Sequence, residues 1–153
     1  MKSNLKVAFL MDPFENLDLK GDTTFALALE AQNRKHEISF FKPDDLFLKS
    51  GEVFANICKI ELSSTNDTNN FSYHKEIIKP LNGYDVVMMR QDPPFDMSYI
   101  TATHILQKLS NSVLIVNNPY EVRNAPEKLF VTNFPHLIPK TLISRNSKVI
   151  EDF

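Results

Sequence analysis

Glycine is scarce in this chain. There are three in 153 residues, Gly21, Gly51 and Gly83, spaced 30 and 32 positions apart. A phosphate-cradling loop of the G-x-G-x-x-G or G-x-x-x-x-G-K-[ST] kind needs clustered glycines, so a self-contained dinucleotide or P-loop enzyme is excluded. Cysteine is scarcer still. Cys58 is alone, cannot close an intramolecular disulfide, and argues against an oxidising compartment. Neither sign of charge dominates: 17 Lys and Arg against 19 Asp and Glu leave a net charge of −2. No Lys/Arg run forms a basic stripe, so nothing points to nucleic acid. No apolar run approaches a membrane span, and the N-terminal apolar stretch stops at Asp12, too soon for a secretory signal. A single-domain-sized, cytoplasmic chain is expected.

What is present is organised in alternating blocks. Leu5–Met11 is almost continuously apolar, as a strand covered on both faces must be. A loop follows, and then Asp22 can cap a helix whose apolar stripe runs Phe25, Leu27, Ala28, Leu29 and Ala31, to about Arg34. His36–Phe41 alternates as a second strand and closes at Lys42-Pro43. Asp44–Leu48 reads as a short helical turn. Glu52–Leu62 has strand periodicity and reads as one strand, or as a hairpin arm with its partner near Gly51. Residues 63–70 are a polar, mobile surface loop. Tyr73–Leu81 reads as irregular or as a short helix ending at Pro80. Asp85–Met89 is a further buried strand, Asp96 caps a helix over Met97–Leu109, and Val113–Val116 is another strand. Glu121–Asn124 is a turn. Pro126 opens a helix through Phe134, and a last strand begins at Leu142–Ser144. The sum is an α/β chain: a Rossmann-like open, mainly parallel sheet with helices on both faces.

Ligands of such sheets bind beyond the carboxyl ends of the strands. Three strand ends here carry polar residues locked by proline: Asp12-Pro13, Arg90 to Pro94, and Asn117 to Pro119. Arg90 offers a planar fork for a carboxylate or phosphate; Asp12 and Asp92 suit an ammonium group or the orientation of that arginine. The same residues admit a plainer role, in which Asp-Pro closes a turn and Arg90 pairs with Asp92. The four histidines, His36, His74, His104 and His136, lack metal-ligand spacing, so no metal site is expected. Cys58 reads as a small buried hydrophobe, the methionines as core, and Lys128, by itself, as a solvated surface lysine.

Three segments carry a resemblance: MDPFENLDLKGDTTFALALEAQNR, MMRQDPPFDMSYITATHIL and LIVNNPYEVRNAPEKLF. In this order they resemble bacterial glutathione synthetases over most of residues 5–145, with R-x-D-P-P-F-D the most specific motif. The third departs slightly, with Pro126 standing before Glu127-Lys128. The resemblance implies a pre-ATP-grasp domain at 1–124, with 125–153 opening the linker to an ATP-grasp domain. It implies an enzyme that joins γ-glutamylcysteine to glycine with ATP and Mg²⁺ through an acyl phosphate, and a homo-oligomer, tetramers being known. Lys128 matches the lysine that reaches ATP; Asp12, Arg90, Asp92 and Asn117 match positions facing the substrate cleft. Thr23 and Thr24 stand at the family's hydroxyl pair. The second nucleotide lysine, the Gly-rich lid and the magnesium ligands would lie past Phe153. Residues 1–153 alone are therefore expected to be inactive and to bind no cofactor tightly, with apolar surface exposed around Phe130, Phe134, Ile143 and Ile150. The alternative is a non-catalytic, stand-alone module that binds a γ-glutamyl peptide or a partner ATP-grasp chain.

Overall fold

The computed structural model describes residues 4–17, 21–63, 71–109, 111 and 113–153. The first strand, β1 (Lys6–Leu10), lies at the centre. It pairs in parallel with β2 (Glu37–Phe41) on one side and with β7 (Val86–Met89) on the other, and β7 pairs in parallel with β8 (Leu114–Val116). Two helices complete the crossovers, α1 (Thr23–Asn33) and α2 (Met97–Leu106). Each starts at the expected cap: the Asp22 carboxylate accepts from Phe25 N at 2.7 Å and the Asp96 carboxylate from Tyr99 N at 3.0 Å. Each such cap is worth about 0.5–2 kcal/mol.

The continuous apolar run of β1 has a simple cause. Val7, Phe9 and Met11 face a core shared with Phe25 and Ala28 of α1, while Ala8 and Leu10 face a second core with Ala102 and Leu106 of α2. Both faces of the strand are covered, so no position is free to be polar. Helices on both faces follow from the same fact. The α1 stripe is narrower than its sequence indicates: Leu27 is exposed, and only Phe25 and Ala28 of its apolar residues are fully buried.

The chain's other half of the sheet is antiparallel. Residues 43–45 form a 3₁₀ turn, then β3 (Leu46–Lys49) and β4 (Glu52–Leu62) make a hairpin closed by Lys49 opposite Glu52. Its two-residue turn is Ser50-Gly51, with φ of 51° and 83°. Positive φ at both central residues is what a right-twisted two-residue hairpin requires. β4 changes sides along its length: Val53, Ala55 and Ile57 enter the α2 core, whereas Cys58, Ile60 and Leu62 enter the α1 core. A single period-2 strand thereby seals both layers.

Several sequence expectations fail here. Asp44–Leu48 is not a helical turn: the 3₁₀ turn ends at Asp45 and Leu46 opens β3. Tyr73–Leu81 is neither irregular nor helical: β5 (Phe71–Tyr73) and β6 (Ile77–Pro80) line the edge of β4 in antiparallel register, and residues 81–83 form a 3₁₀ turn. Backbone pairing with β4 outweighs the local signals, and Pro80 is tolerated because it ends an edge strand. Residues 142–144 form no strand, having no neighbour to pair with. The helix expected from Pro126 to Phe134 is only α4 (Glu127–Phe130) plus a 3₁₀ turn at 131–133, whereas the expected turn before it is a capped helix, α3 (Pro119–Asn124). A short α5 (Ser147–Glu151) ends the chain. The polar segment read as a mobile loop lies, from position 64 to 70, outside the described residues. No helix among the described residues is long and apolar enough to cross a membrane.

Candidate functional site

The chain leaves β1 toward β2 on one side, and leaves β7 toward β8 on the other. Between the carboxyl ends of β1 and β7 the connections diverge, opening the crevice in which open α/β sheets bind ligands. Asp12 follows β1 and Arg90 follows β7. The β1–β7 ladder carries on one step past the strand, with Arg90 N donating to Leu10 O at 2.8 Å.

Arg90 turns its guanidinium to the start of α1, donating from Nε to Thr24 Oγ1 at 3.0 Å and from Nη2 to Thr23 Oγ1 at 2.8 Å. It does not need Asp92 for a partner. Asp92 instead closes the crevice through its backbone, whose N donates to Asp12 Oδ2 at 3.3 Å. The Asp12 carboxylate, the Asp92 backbone and the Arg90 guanidinium thus share the mouth of the crevice, with the arginine held at two points. A fork fixed in this way keeps donors for a further acceptor at small entropic cost.

Phe14, read from sequence as part of a loop, is the anchor below Asp12. It is 0% exposed and packs edge-on against Phe25 and Phe40, at 6.4 and 5.8 Å between ring centroids, with Phe71 at 5.7 Å. The signal was present as an aromatic two residues past Asp-Pro, but its partners come from three other elements.

Beside the crevice lies a cavity of about 470 Å³ between the 91–99 segment and α3–α4, walled by Pro93, Phe95, Tyr99, Val122 and Leu129, with Gln91 and Lys128 on its lining. The Gln91 Oε1 atom is buried and finds no hydrogen-bond partner among the described residues. Burial pushes the Tyr99 hydroxyl pKa up; the nearby Arg90 charge works against this and Asp92 with it. Lys128 is exposed at the cavity wall, on α4. Asn117 follows β8, is exposed, and does not line this cavity. The structure therefore brings Asp12, Arg90 and Asp92 together, sets Lys128 on the wall of the same cavity as Gln91, the residue next to Arg90, and leaves Asn117 at the adjacent strand end, off that cavity.

The remaining chemistry is quiet. Cys58 is buried, and burial raises its thiol pKa, with Glu76 adding to the effect and a hydrogen bond at the His74 backbone opposing it. Tyr73 donates to Glu15 Oε2 at 2.8 Å, and burial and that carboxylate both raise its pKa. His74 contacts Glu61 at 3.1 Å. No three metal-ligating side chains converge among the described residues. The four residues expected to expose apolar surface do so: Phe130, Phe134, Ile143 and Ile150 are 43–53% exposed.

A family model described as "Prokaryotic glutathione synthetase, N-terminal domain" matches residues 5–123. Curated relatives called "Glutathione synthetase" include those of Rhodopseudomonas palustris, 48% identical over 149 residues, Bradyrhizobium diazoefficiens, 48% over 151, and Brucella melitensis, 45% over 149. Each alignment covers 97% of this chain and 47% of the relative, so the chain spans about half the length of the curated relatives it matches.

Proposed function

The chain belongs to the family of prokaryotic glutathione synthetase N-terminal domains, and from that premise we propose that it is the substrate-side half of a ligase joining γ-glutamylcysteine to glycine at the expense of ATP. The observation that carries the reading is the two-point fixation of Arg90 at the crevice between β1 and β7, beside the hydrogen-bonded Asp12–Asp92 pair. A zwitterionic peptide presents carboxylates and an ammonium group. Arg90 takes a carboxylate, and the Asp12–Asp92 pair takes the ammonium or the facing domain. Lys128, on the far wall, takes a nucleotide phosphate as a point charge. Asn117, at the neighbouring strand end, contributes only if the crevice closes over it.

Acyl-phosphate chemistry depends on cations and donors placed around the transferred γ-phosphoryl group. This half brings Lys128 and Arg90. Magnesium, when bound, would neutralise phosphate charge; the carboxylates at the crevice, Asp12 and Asp92, are only two, so its ligand set is assigned to the ATP-grasp half. On this reading 1–124 is the pre-ATP-grasp unit, 125–153 leads into the ATP-grasp domain, the exposed apolar residues of that segment meet it, and the assembled cytoplasmic enzyme is a homotetramer.

The test has two parts. The 153-residue chain releases no phosphate in a glycine- and ATP-dependent manner; release would overturn the division of labour. Titration calorimetry with γ-glutamylcysteine gives a binding heat that Arg90→Met abolishes; equal heats for both chains would overturn the role of Arg90.

A further inference from the structure

Arg123 is the polar tie between α3 and α2. Its Nη1 donates to Thr103 Oγ1 at 3.1 Å and to Pro119 O at 3.2 Å, and its Nη2 donates to Gln107 Oε1. The guanidinium also lies 5.8 Å from the Tyr120 ring centre, within cation–π range. Thr103 is 0% exposed, and its hydroxyl hydrogen is already committed to Ile100 O at 2.6 Å. Only an outside donor can use the oxygen's lone pairs, and Arg123 supplies that donor from 20 residues away. Thr103 and Gln107 are one helical turn apart, so one planar fork spans both.

Lys128 follows Arg123 by five residues, through Asn124, Ala125, Pro126 and Glu127. No glycine interrupts this stretch, Pro126 fixes one backbone angle, and Ala125 N bonds back to Glu121 O at 2.9 Å. The connection is stiff, so the seating of α3 sets that of α4. Apolar packing across this gap is incomplete, since the cavity of about 470 Å³ lies between α3–α4 and the 91–99 segment. A directional bond is then the more effective way to hold position.

We propose that Arg123 is a positioning residue: by clamping α3 onto Thr103 of α2 and its C-cap Gln107, it holds Lys128 at the cavity beside the crevice. The proposal rests on Lys128 acting at that crevice, as described above, and it predicts that losing the fork frees α4 without loosening the sheet.

Spin labels at His104→Cys and Lys128→Cys, in a Cys58→Ala background, report the α2–α4 distance by pulsed electron resonance. A reference pair at His104→Cys and Glu52→Cys reports the body of the fold. With Arg123→Met, and equally with Arg123→Lys, whose single ammonium cannot span the acceptors, the 104–128 distribution broadens about twofold or more while the reference pair is unchanged. Thr103→Val gives a smaller broadening and serves if the arginine variants do not fold. Unchanged 104–128 widths, or equal broadening of both pairs, would overturn the proposal. Acylation of Lys128 in the unlabelled chain, with and without ATP at millimolar concentrations that populate even a weak site, separates the two ideas. Protection by ATP that Arg123→Met removes supports both. Absence of protection in the parent chain counts against the nucleotide role of Lys128, and leaves the distance measurement to decide the role of Arg123.

Discussion

Replacing Phe14 should reveal how the Asp12 turn is held. The ring is fully enclosed and meets three others, Phe25, Phe40 and Phe71. Phe→Ala at a core site costs about 3–5 kcal/mol, from lost transfer and from the cavity left behind. Well-placed ring pairs add about 0.5–1.5 kcal/mol each beyond buried area, so Phe14→Ala belongs in the upper part of that range. For a chain of this size each kcal/mol moves Tm by about 2–4 °C, which gives a fall on the order of 10–20 °C. Phe14→Leu keeps most of the volume but loses the ring pairs, and should cost about 1–2 kcal/mol. Urea unfolding followed by circular dichroism measures both. Hydrogen exchange adds a local readout: the Asp92 amide, bonded to Asp12 Oδ2, should exchange faster in both variants, with the β1 amides accelerated least in the leucine variant. A loss below about 1 kcal/mol for Phe14→Ala would refute the argument, because a ring that cheap to delete is not packed as described.

Two further outcomes are expected. Arg90→Met leaves Thr24, only 4% exposed, without its donor, and should lower stability by about 1–3 kcal/mol, with Arg90→Lys recovering less than half because an ammonium cannot serve both threonine hydroxyls; an unchanged melting temperature for the methionine variant would contradict the bonding. Cys58, buried and with its thiol pKa raised, should react with a maleimide at neutral pH far more slowly than a free cysteine, since the thiolate is the nucleophile. The sign of its linkage follows: a raised folded-state pKa contributes stability that is present below the thiol's ordinary pKa and is lost as pH rises past it. Unfolding at increasing alkaline pH, compared with Cys58→Ala, measures this; a cysteine chain that gains stability relative to alanine over that range would show the sign to be wrong.

Much of the architecture was legible because its causes are local. The Asp22 and Asp96 caps and the β1 run are written within a few residues of where they act, the hairpin near Gly51 was one of two readings of that stretch, and the ordered motifs from M-D-P to E-K-L marked the family. The edge strands β5 and β6 were not legible. Their exposed residues and Pro80 carry no strand signal of their own, and they are strands only because β4 offers them a ladder. The final segment shows the converse. Its apolar residues suggested a longer helix, but without a packed partner only short turns form, since helical stability comes mainly from tertiary burial.

The candidate site divides the same way. Composition alone excluded a Gly-rich phosphate loop, and the proline-locked strand ends alone nominated Asp12, Arg90, Asp92 and Asn117. Residue types and their neighbours in sequence settle which chemistry is available. Which groups meet was decided only in three dimensions. Arg90 chose the threonines of α1 over the nearby Asp92, Phe14 became an anchor, and Arg123 reached Thr103 across 20 residues. Such contacts depend on strand order and on helix seating, and these are set by the burial of two separate apolar cores rather than by any stretch of sequence read alone.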